Sequence, residues 1–458
     1  TWEVENRYRV PLLVSAKTEL ALWAQADRLR SHMLEHPNST LADVAHSLAT
    51  TRAHFERRVS ITVEDMSDAI DALDVLARGE VDPRIVIGQA QVEGRVAFVF
   101  SGQGSHWTGM ARSLVQLSDR FREHLRACDR ALAKHVDWSL LDVLDEAEGA
   151  PSLEQVEVVH AVTFAVSTAL LLLWRMIGIE PEGLVGHGIG EVAAAHVAGT
   201  LSLDDAMRII VLRARALARL SGQGGLLRVG LPPTELSSQL ERWGERLGIA
   251  AQEGPSITVL SGDVEVLDAL AARLEDTRRL AIDHPLGTAM LESLRSEIVG
   301  GLDITPQAVA IPLYSTVRAE TVVGRDLDAN YWFRNLRNTT RFSDTVDRML
   351  ADGYRFFIEV SPNPLLLDAL HSIFAANQVE ACAVGSLTRD EGGPASLMRS
   401  LGALHVSGLA VDWSKVSNGR RVPLPTYAFQ RTRYWMDPGC GRTDSGRLGV
   451  GAVEHPLL

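Results

Sequence analysis

Cysteine is nearly absent: there are 3 in 458 residues, Cys128, Cys382 and Cys440, far apart and without a C-x-x-C pair. That spacing supports neither a disulfide framework nor a zinc site, and no metal is implied. Aromatic residues are sparse at 6%, and basic side chains are outnumbered, 45 against 58 acidic, for a net charge of −13. Such a balance argues against a sequence-independent grip on nucleic-acid phosphates or acidic lipids, so anionic substrates must be drawn in by single well-placed cations. Long uninterrupted apolar runs are missing too. The most apolar stretch, Val158 to Ile177, is broken by Thr163, Ser167, Thr168 and Arg175, and Thr1 opens no charged-then-apolar leader. No membrane span or export signal is expected; the chain reads as soluble and cytoplasmic, with both ends cut from something longer.

What is present is ordinary globular composition, 46% hydrophobic and 22% charged, in a chain too long for one core. Two to four domains are expected. The first unit, 9 to about 94, opens with a strand at Pro11 to Ala16. A helix follows with Leu22, Ala26, Leu29 and Met33 on one face. Beyond Leu41 to Thr51 come a strand at Phe55 to Val63 and an amphipathic helix through Ala69, Leu73 and Leu76, giving a small α+β module.

A second domain begins at Arg95, where Val96 to Phe100 is a continuous β-prone run suited to a central, doubly covered parallel strand. It ends in the turn Ser101-Gly102-Gln103-Gly104-Ser105. A short strand at Leu184 and Val185 runs into Gly186-His187-Gly188-Ile189-Gly190 and then a helix-prone segment, Glu191 to Val197. Strand, sharp glycine-rich turn and helix together make an elbow that exposes its central side chain and aims backbone N–H groups at the same spot. In the G-x-S-x-G form of this elbow the central residue is a serine nucleophile; here it is Gly188, with no side chain to acylate. Residues 223 to 287 alternate as β-α-β-β-α-β, the pattern of a ferredoxin-like insert. The main domain resumes with strands near Ile311 to Ser315 and at Phe356 to Val360. From about Pro394 a helix and polar loop lead to an aromatic-rich stretch, Leu424 to Trp435, and then to a flexible-looking Gly439 to Gly451.

A dinucleotide site is the first rival for two strands that run into glycines. The spacing opposes it, because Glu191 and Trp107 occupy the places of the third glycine in G-x-G-x-x-G, and Glu191 would repel a pyrophosphate.

Gly102-Gln103-Gly104-Ser105-His106-Trp107 together with Gly186-His187-Gly188-Ile189-Gly190-Glu191 resembles the acyltransferase domain of modular type I polyketide synthases. Ala161 to Val166, Glu191 to Gly199, Asn330 to Arg337 and Phe357 to Pro362 follow that family's phrases in order. Ser15-Ala16 with Thr51 to Phe55 resembles the ketosynthase-to-acyltransferase linker, and Leu424 to Trp435 the segment after the acyltransferase. His455 to Leu458 resembles the start of a dehydratase. The resemblance implies an α/β fold: a hydrolase-like parallel-sheet core with a ferredoxin-like α+β insert, plus an N-terminal α+β linker domain. It divides the chain into linker 1–94, large subdomain 95–222 and 288–395, small subdomain 223–287, post-acyltransferase linker 396–437 and tail 438–458.

The family's activity is ping-pong transfer of a malonyl-type acyl group from coenzyme A to the phosphopantetheine thiol of a carrier protein, through a Ser–His pair. By the resemblance both members of that pair are replaced: the serine position is Gly188, and the histidine position, within His284-Pro285-Leu286-Gly287-Thr288, is Gly287. Loss of nucleophile or base costs about a million-fold in subtilisin, roughly 8 kcal/mol of barrier. A catalytically inactive domain, kept as a structural scaffold, is therefore expected. The alternatives are a docking domain for a trans-acting acyltransferase or carrier protein, and a weak thioester hydrolase. Expected partners are the neighbouring ketosynthase and other synthase domains and the acyl carrier protein, with no nucleic acid, membrane or cofactor.

Supporting positions carry over from the resemblance as well. Backbone N–H groups of Gln103 and Ile189 would form the oxyanion hole, and Arg213 would face a substrate carboxylate. Arg213 lies within the apolar stripe of a helix capped by Ser202, where a buried arginine needs an anionic partner; an internal salt bridge is the competing reading. His187, His284 and Asn363 are expected at the pocket, Asn363 where the family commonly has histidine. Glu253 stands where asparagine is usual.

Overall fold

The computed structural model describes residues 11–389 and 393–431. Trp435, Cys440, the glycine-rich Gly439 to Gly451 and His455 to Leu458 lie outside the described residues.

The β-prone run at Arg95–Phe100 sits inside a six-stranded sheet, between Gly183–Gly186 on one side and Tyr354–Glu359 on the other, parallel to both. Val96 to Phe100 are all buried, which is why the run shows no polar alternation. Cys382–Gly385 forms one edge of the sheet. The other edge is the antiparallel pair Leu313–Ser315 and Glu320–Val322. The strands at Glu320–Val322 and Cys382–Gly385, three and four residues long, are too short to be read from sequence. Helix Val156–Met176 is long and apolar enough to cross a membrane by length alone, yet it is packed inside the protein. Trp174 is fully buried, and its Nε1 donates to Ser386 Oγ at 2.8 Å.

A five-stranded sheet lies beside this core. Four strands, in the spatial order Leu247–Gly254, Ile257–Gly262, Gly225–Val229, Thr277–Arg279, pair antiparallel throughout, as β-α-β-β-α-β connectivity requires. The last of these, Thr277–Arg279, is only three residues long. The fifth, Thr340–Arg341, comes from the main domain and pairs parallel with Leu247–Gly254, tying insert to core.

The first module is an antiparallel sheet of Leu12–Ala16, Arg57–Ile61 and Ile85–Gln89. Its third strand is marked in the sequence only by the β-branched run Ile85-Val86-Ile87, because it is half-exposed and shows no alternating face. Helices Glu19–Glu35 and Met66–Ala77, each capped by a side chain accepting from the N3 amide (Thr18 and Asp65), supply its core with Leu22, Leu29, Leu73 and Leu76. Helix Pro394–Ser407 packs on Arg57–Ile61 and Ile85–Gln89 and also on Cys382–Gly385, bridging module and core. The chain then straps back across the first module. Arg420 N–H donates to Asp43, Val422 N–H to Ser47 and Ala428 N–H to Gln25, while Leu424 and Tyr427 pack on the module's core.

Candidate functional site

One cavity of about 410 Å³ opens between the six-stranded core and the insert sheet. Its floor is the elbow. Gly186 ends the strand, His187 N–H donates to Phe100 O at 2.8 Å, and helix Gly190–Val197 starts at once. Gly188, Ile189 and Gln103 all line the cavity. Among the described residues, neither the Gln103 nor the Ile189 backbone N–H donates to a protein acceptor. Two free amide donors beside the start of a helix are a ready environment for a developing oxyanion.

Gly188 has φ +56°, and a Cβ built on it would meet nothing within 4 Å. The elbow therefore keeps the left-handed turn and the empty space that a side chain would need. Gly287 lines the same cavity from the insert side, also with positive φ, +64°. Its surroundings differ: an added Cβ would stand 2.8 Å from Ala250 Cα and 3.0 Å from Ile249 O. Backbone has closed onto this position, so only glycine fits without movement of the strand opposite. The structure thus brings the two glycines to one cavity from opposite walls.

Arg213 is buried on helix Leu203–Ala218 and also reaches the cavity wall. Its Nη1 donates to Asn335 Oδ1 at 2.6 Å, and Asn335 Nδ2 donates to Glu191 Oε2 at 2.7 Å. Tyr331 and Thr316 hydroxyls also donate to the fully buried Glu191 carboxylate. Burial pushes the Glu191 carboxyl up to about 7, against the pull of these donors. Burial brings the Arg213 guanidinium down to about 10, with the Glu191 charge resisting. No direct ion pair to Arg213 occurs among the described residues, and its buried Nε has no hydrogen-bond partner. Its counter-charge stands behind an amide, which leaves donor capacity on the guanidinium itself.

His187 and Asn363 line the cavity. The Asn363 amide oxygen accepts from Arg389 N–H at 3.2 Å. His187 Nε2 lies 3.5 Å from Glu253 Oε1, and its ring stands edge-on to Phe342. Burial lowers its pKa, with Glu253 partly offsetting that effect. His284 departs from expectation, since it is fully buried behind the wall and does not line the cavity. Its Nδ1 faces Oδ1 of the exposed Asp283 at 3.2 Å.

Three groups were missed by sequence reasoning. His160 Nε2 lies 3.1 Å from Gln103 Oε1; the amide oxygen can only accept, so Nε2 carries the proton and steadies the Gln103 turn. A lone histidine inside the apolar helix Val156–Met176 was the available signal. Asn335 was written into the Asn330 to Arg337 phrase, four residues after Tyr331, so both side chains reach Glu191 from one helix face. Glu359 fixes the opposite wall: it accepts from Leu365 N–H at 2.7 Å and Leu366 N–H at 2.9 Å, and burial raises it to about 7. Among the described residues no serine, threonine or cysteine on the cavity wall hydrogen-bonds a histidine, and the Ser221 hydroxyl donates to Asp283 instead.

Residues 97–411 match the family model described as acyl transferase domain, and residues 11–73 match that described as CurL-like, PKS C-terminal. The chain belongs to the acyltransferase domains of modular polyketide synthases. It is 45% identical to polyketide synthase GfsB of Streptomyces halstedii over 97% of its length, and 41% identical to erythronolide synthase EryA2 of Saccharopolyspora erythraea over 98%. It spans only 8% and 13% of those two proteins. Among solved structures it is similar to the acyltransferase domain from module 8 of the salinomycin polyketide synthase. There the TM-score is 0.85 at 41% identity, covering 89% of this chain and 97% of that one. The loading acyltransferase of the avermectin synthase aligns with TM-score 0.64 at 40% identity, over 68% of this chain and 99% of that one.

Proposed function

We propose that this acyltransferase domain is catalytically silent and is retained as a structural element that spaces the neighbouring domains of its synthase. The observation that carries this is the pair of glycines at the positions of nucleophile and base. Gly188 offers an oxyanion environment with nothing to acylate, and Gly287 holds a backbone too close to Ala250 to admit a side chain. Acyl transfer needs a covalent relay, and two amide donors alone do not supply one. A scaffold role draws instead on cores and interfaces. These are well built here, with helix Pro394–Ser407 and the strap Arg420 to Ala428 fastening the first module to the rest.

A second reading is favoured by one feature: the cavity stays open and keeps Arg213, whose Nε is unpartnered. A domain that binds an acyl or carrier group without transferring it would keep both. Its partners would be the acyl carrier protein and neighbouring synthase domains, or an acyltransferase supplied in trans.

The test is intact-protein mass spectrometry after incubation with malonyl- and methylmalonyl-coenzyme A, beside a thioester-hydrolysis assay. Unchanged mass and hydrolysis at the buffer rate are expected. A stable acyl adduct would overturn the silent reading, and hydrolysis above buffer would identify a weak thioesterase.

A further inference from the structure

The three-stranded sheet of the first module ends on Ile85–Gln89, an edge that no further strand covers among the described residues. Which of its backbone groups face outward follows from the ladder. Thr62 N–H donates to Arg84 O at 2.9 Å and Ala90 N–H to Glu56 O at 2.7 Å, so the even-numbered residues from Arg84 to Ala90 bond inward and the odd-numbered ones point away. Two of the outward groups are taken: Ile85 N–H donates to Asp82 O at 3.0 Å, and Gln89 O accepts from Gln91 N–H at 2.9 Å. Ile85 O, Ile87 N–H, Ile87 O and Gln89 N–H have no partner among the described residues. The strand also lacks the usual protection of an edge. It has no charged residue, no proline and no bulge, and the Ile87 side chain is 53% exposed. Other edges differ: Leu12–Ala16, across the same sheet, is buried along almost its whole length, Cys382–Gly385 packs against helix Pro394–Ser407, and Thr277–Arg279 presents two arginines.

We propose that this edge is a self-pairing surface, to which a second copy of the chain adds its own Ile85–Gln89 strand, antiparallel about a two-fold axis at Ile87. The free groups select that occupant because they are self-complementary. Each Ile87 N–H meets the other copy's Ile87 O, and each Gln89 N–H the other copy's Ile85 O, with none left over. A slip of two residues either way would bring the occupied Ile85 N–H or Gln89 O into the ladder. The contact uses the same patch on both copies, so it closes as a dimer rather than growing into a fibre, and it joins two three-stranded sheets into one. It is independent of whether the cavity binds or transfers an acyl group.

Small-angle scattering and amide hydrogen exchange on the whole chain test this. A pair of short strands is a weak interface, so the mass is expected to rise from monomer toward dimer over about 0.01 to 1 mM protein. Over that range the Ile87 and Gln89 amides should gain protection, while those of Val86 and Gly88, already bonded within the sheet, stay protected throughout. Ile87→Lys and Ile87→Glu each set like charges face to face on the axis and should weaken association at least tenfold; an equimolar mixture of the two should restore it. Ile87→Pro removes only an outward N–H, so it should keep the wild-type fold and lose the dimer. A wild type that stays monomeric across the range, or a Lys–Glu mixture that does not pair, would overturn the proposal. So would equal protection of the Ile87 and Gln89 amides at every concentration, because the edge would then be filled from within one chain.

Discussion

Arg213 and Glu191 are opposite charges that never touch: Asn335 stands between them, its oxygen 2.6 Å from the guanidinium and its nitrogen 2.7 Å from the carboxylate. A direct salt bridge would have satisfied both charges and closed the arginine to any ligand. The amide spacer neutralises the pair at one remove and leaves the guanidinium facing the cavity. Removing the cation should leave a buried carboxylate uncompensated. Arg213→Ala is expected to cost about 3 kcal/mol, read by denaturant titration. Loss below 1 kcal/mol would mean that Glu191 is held neutral by its other donors.

Gly188→Ser should fold. The turn already has φ +56°, and the added Cβ enters open space, so the cost is backbone strain of about 1 kcal/mol. Transfer to a carrier protein should stay absent, since the position read as the family's histidine is Gly287. Substantial turnover in this single variant would show that the family's histidine position is not at 287.

Gly287→His is expected to behave in the opposite way. Its Cβ would lie 2.8 Å from Ala250 Cα, inside any tolerated contact, and φ +64° adds strain. A loss of at least about 2 kcal/mol in thermal or chemical stability is expected. The Gly188→Ser, Gly287→His double variant should therefore not recover the family's activity, and efficient acyl transfer by it would refute the reading of this wall as closed.

Acid should loosen the junction between helix Pro394–Ser407 and the first module. His405 is buried there between the rings of His54 and Trp413, with Arg58 bonded to its carbonyl. Burial lowers it to about 3, with the charges of His54 and Arg58 acting the same way. A histidine with a depressed folded pKa stabilises fully above its unfolded value of about 6.5, and that stability is lost as pH falls toward 3. Buried Glu191 and Glu359, raised to about 7, act in the opposite sense between about 4.5 and 7. His405→Phe should therefore flatten the fall in melting temperature between pH 6.5 and 4. A pH profile identical to wild type would exclude His405 as a contributor.

Deleting residues 417–458 should destabilise the first module selectively, because its helices lose the backbone donors at 420 and 422 and the apolar cover of Leu424 and Tyr427. Hydrogen exchange in Leu41–Thr51 should quicken while that in Arg95–Phe100 stays unchanged. Uniform protection in both would show that the strap bears no load.

Much of this protein was legible in its sequence. The apolar run Val96 to Phe100 announces a doubly covered strand because every side chain meets protein. The elbow at 186 to 190 and the β-α-β-β-α-β order of the insert depend on local residue chemistry in the same way. The glycines at 188 and 287 could also be read directly from the sequence. What depends on distant contacts could not be read. The half-exposed strand Ile85–Gln89 exists because Arg57–Ile61 offers it an edge, and Thr340–Arg341 joins the insert sheet from across the cleft. His284 sits behind the cavity wall because the surrounding fold buries it completely. The sequence alone could say that Gly287 lacks a base. Only the tertiary structure decided that Ala250 has closed on it while Gly188 stays open, because room for a Cβ is set by atoms far away in the chain.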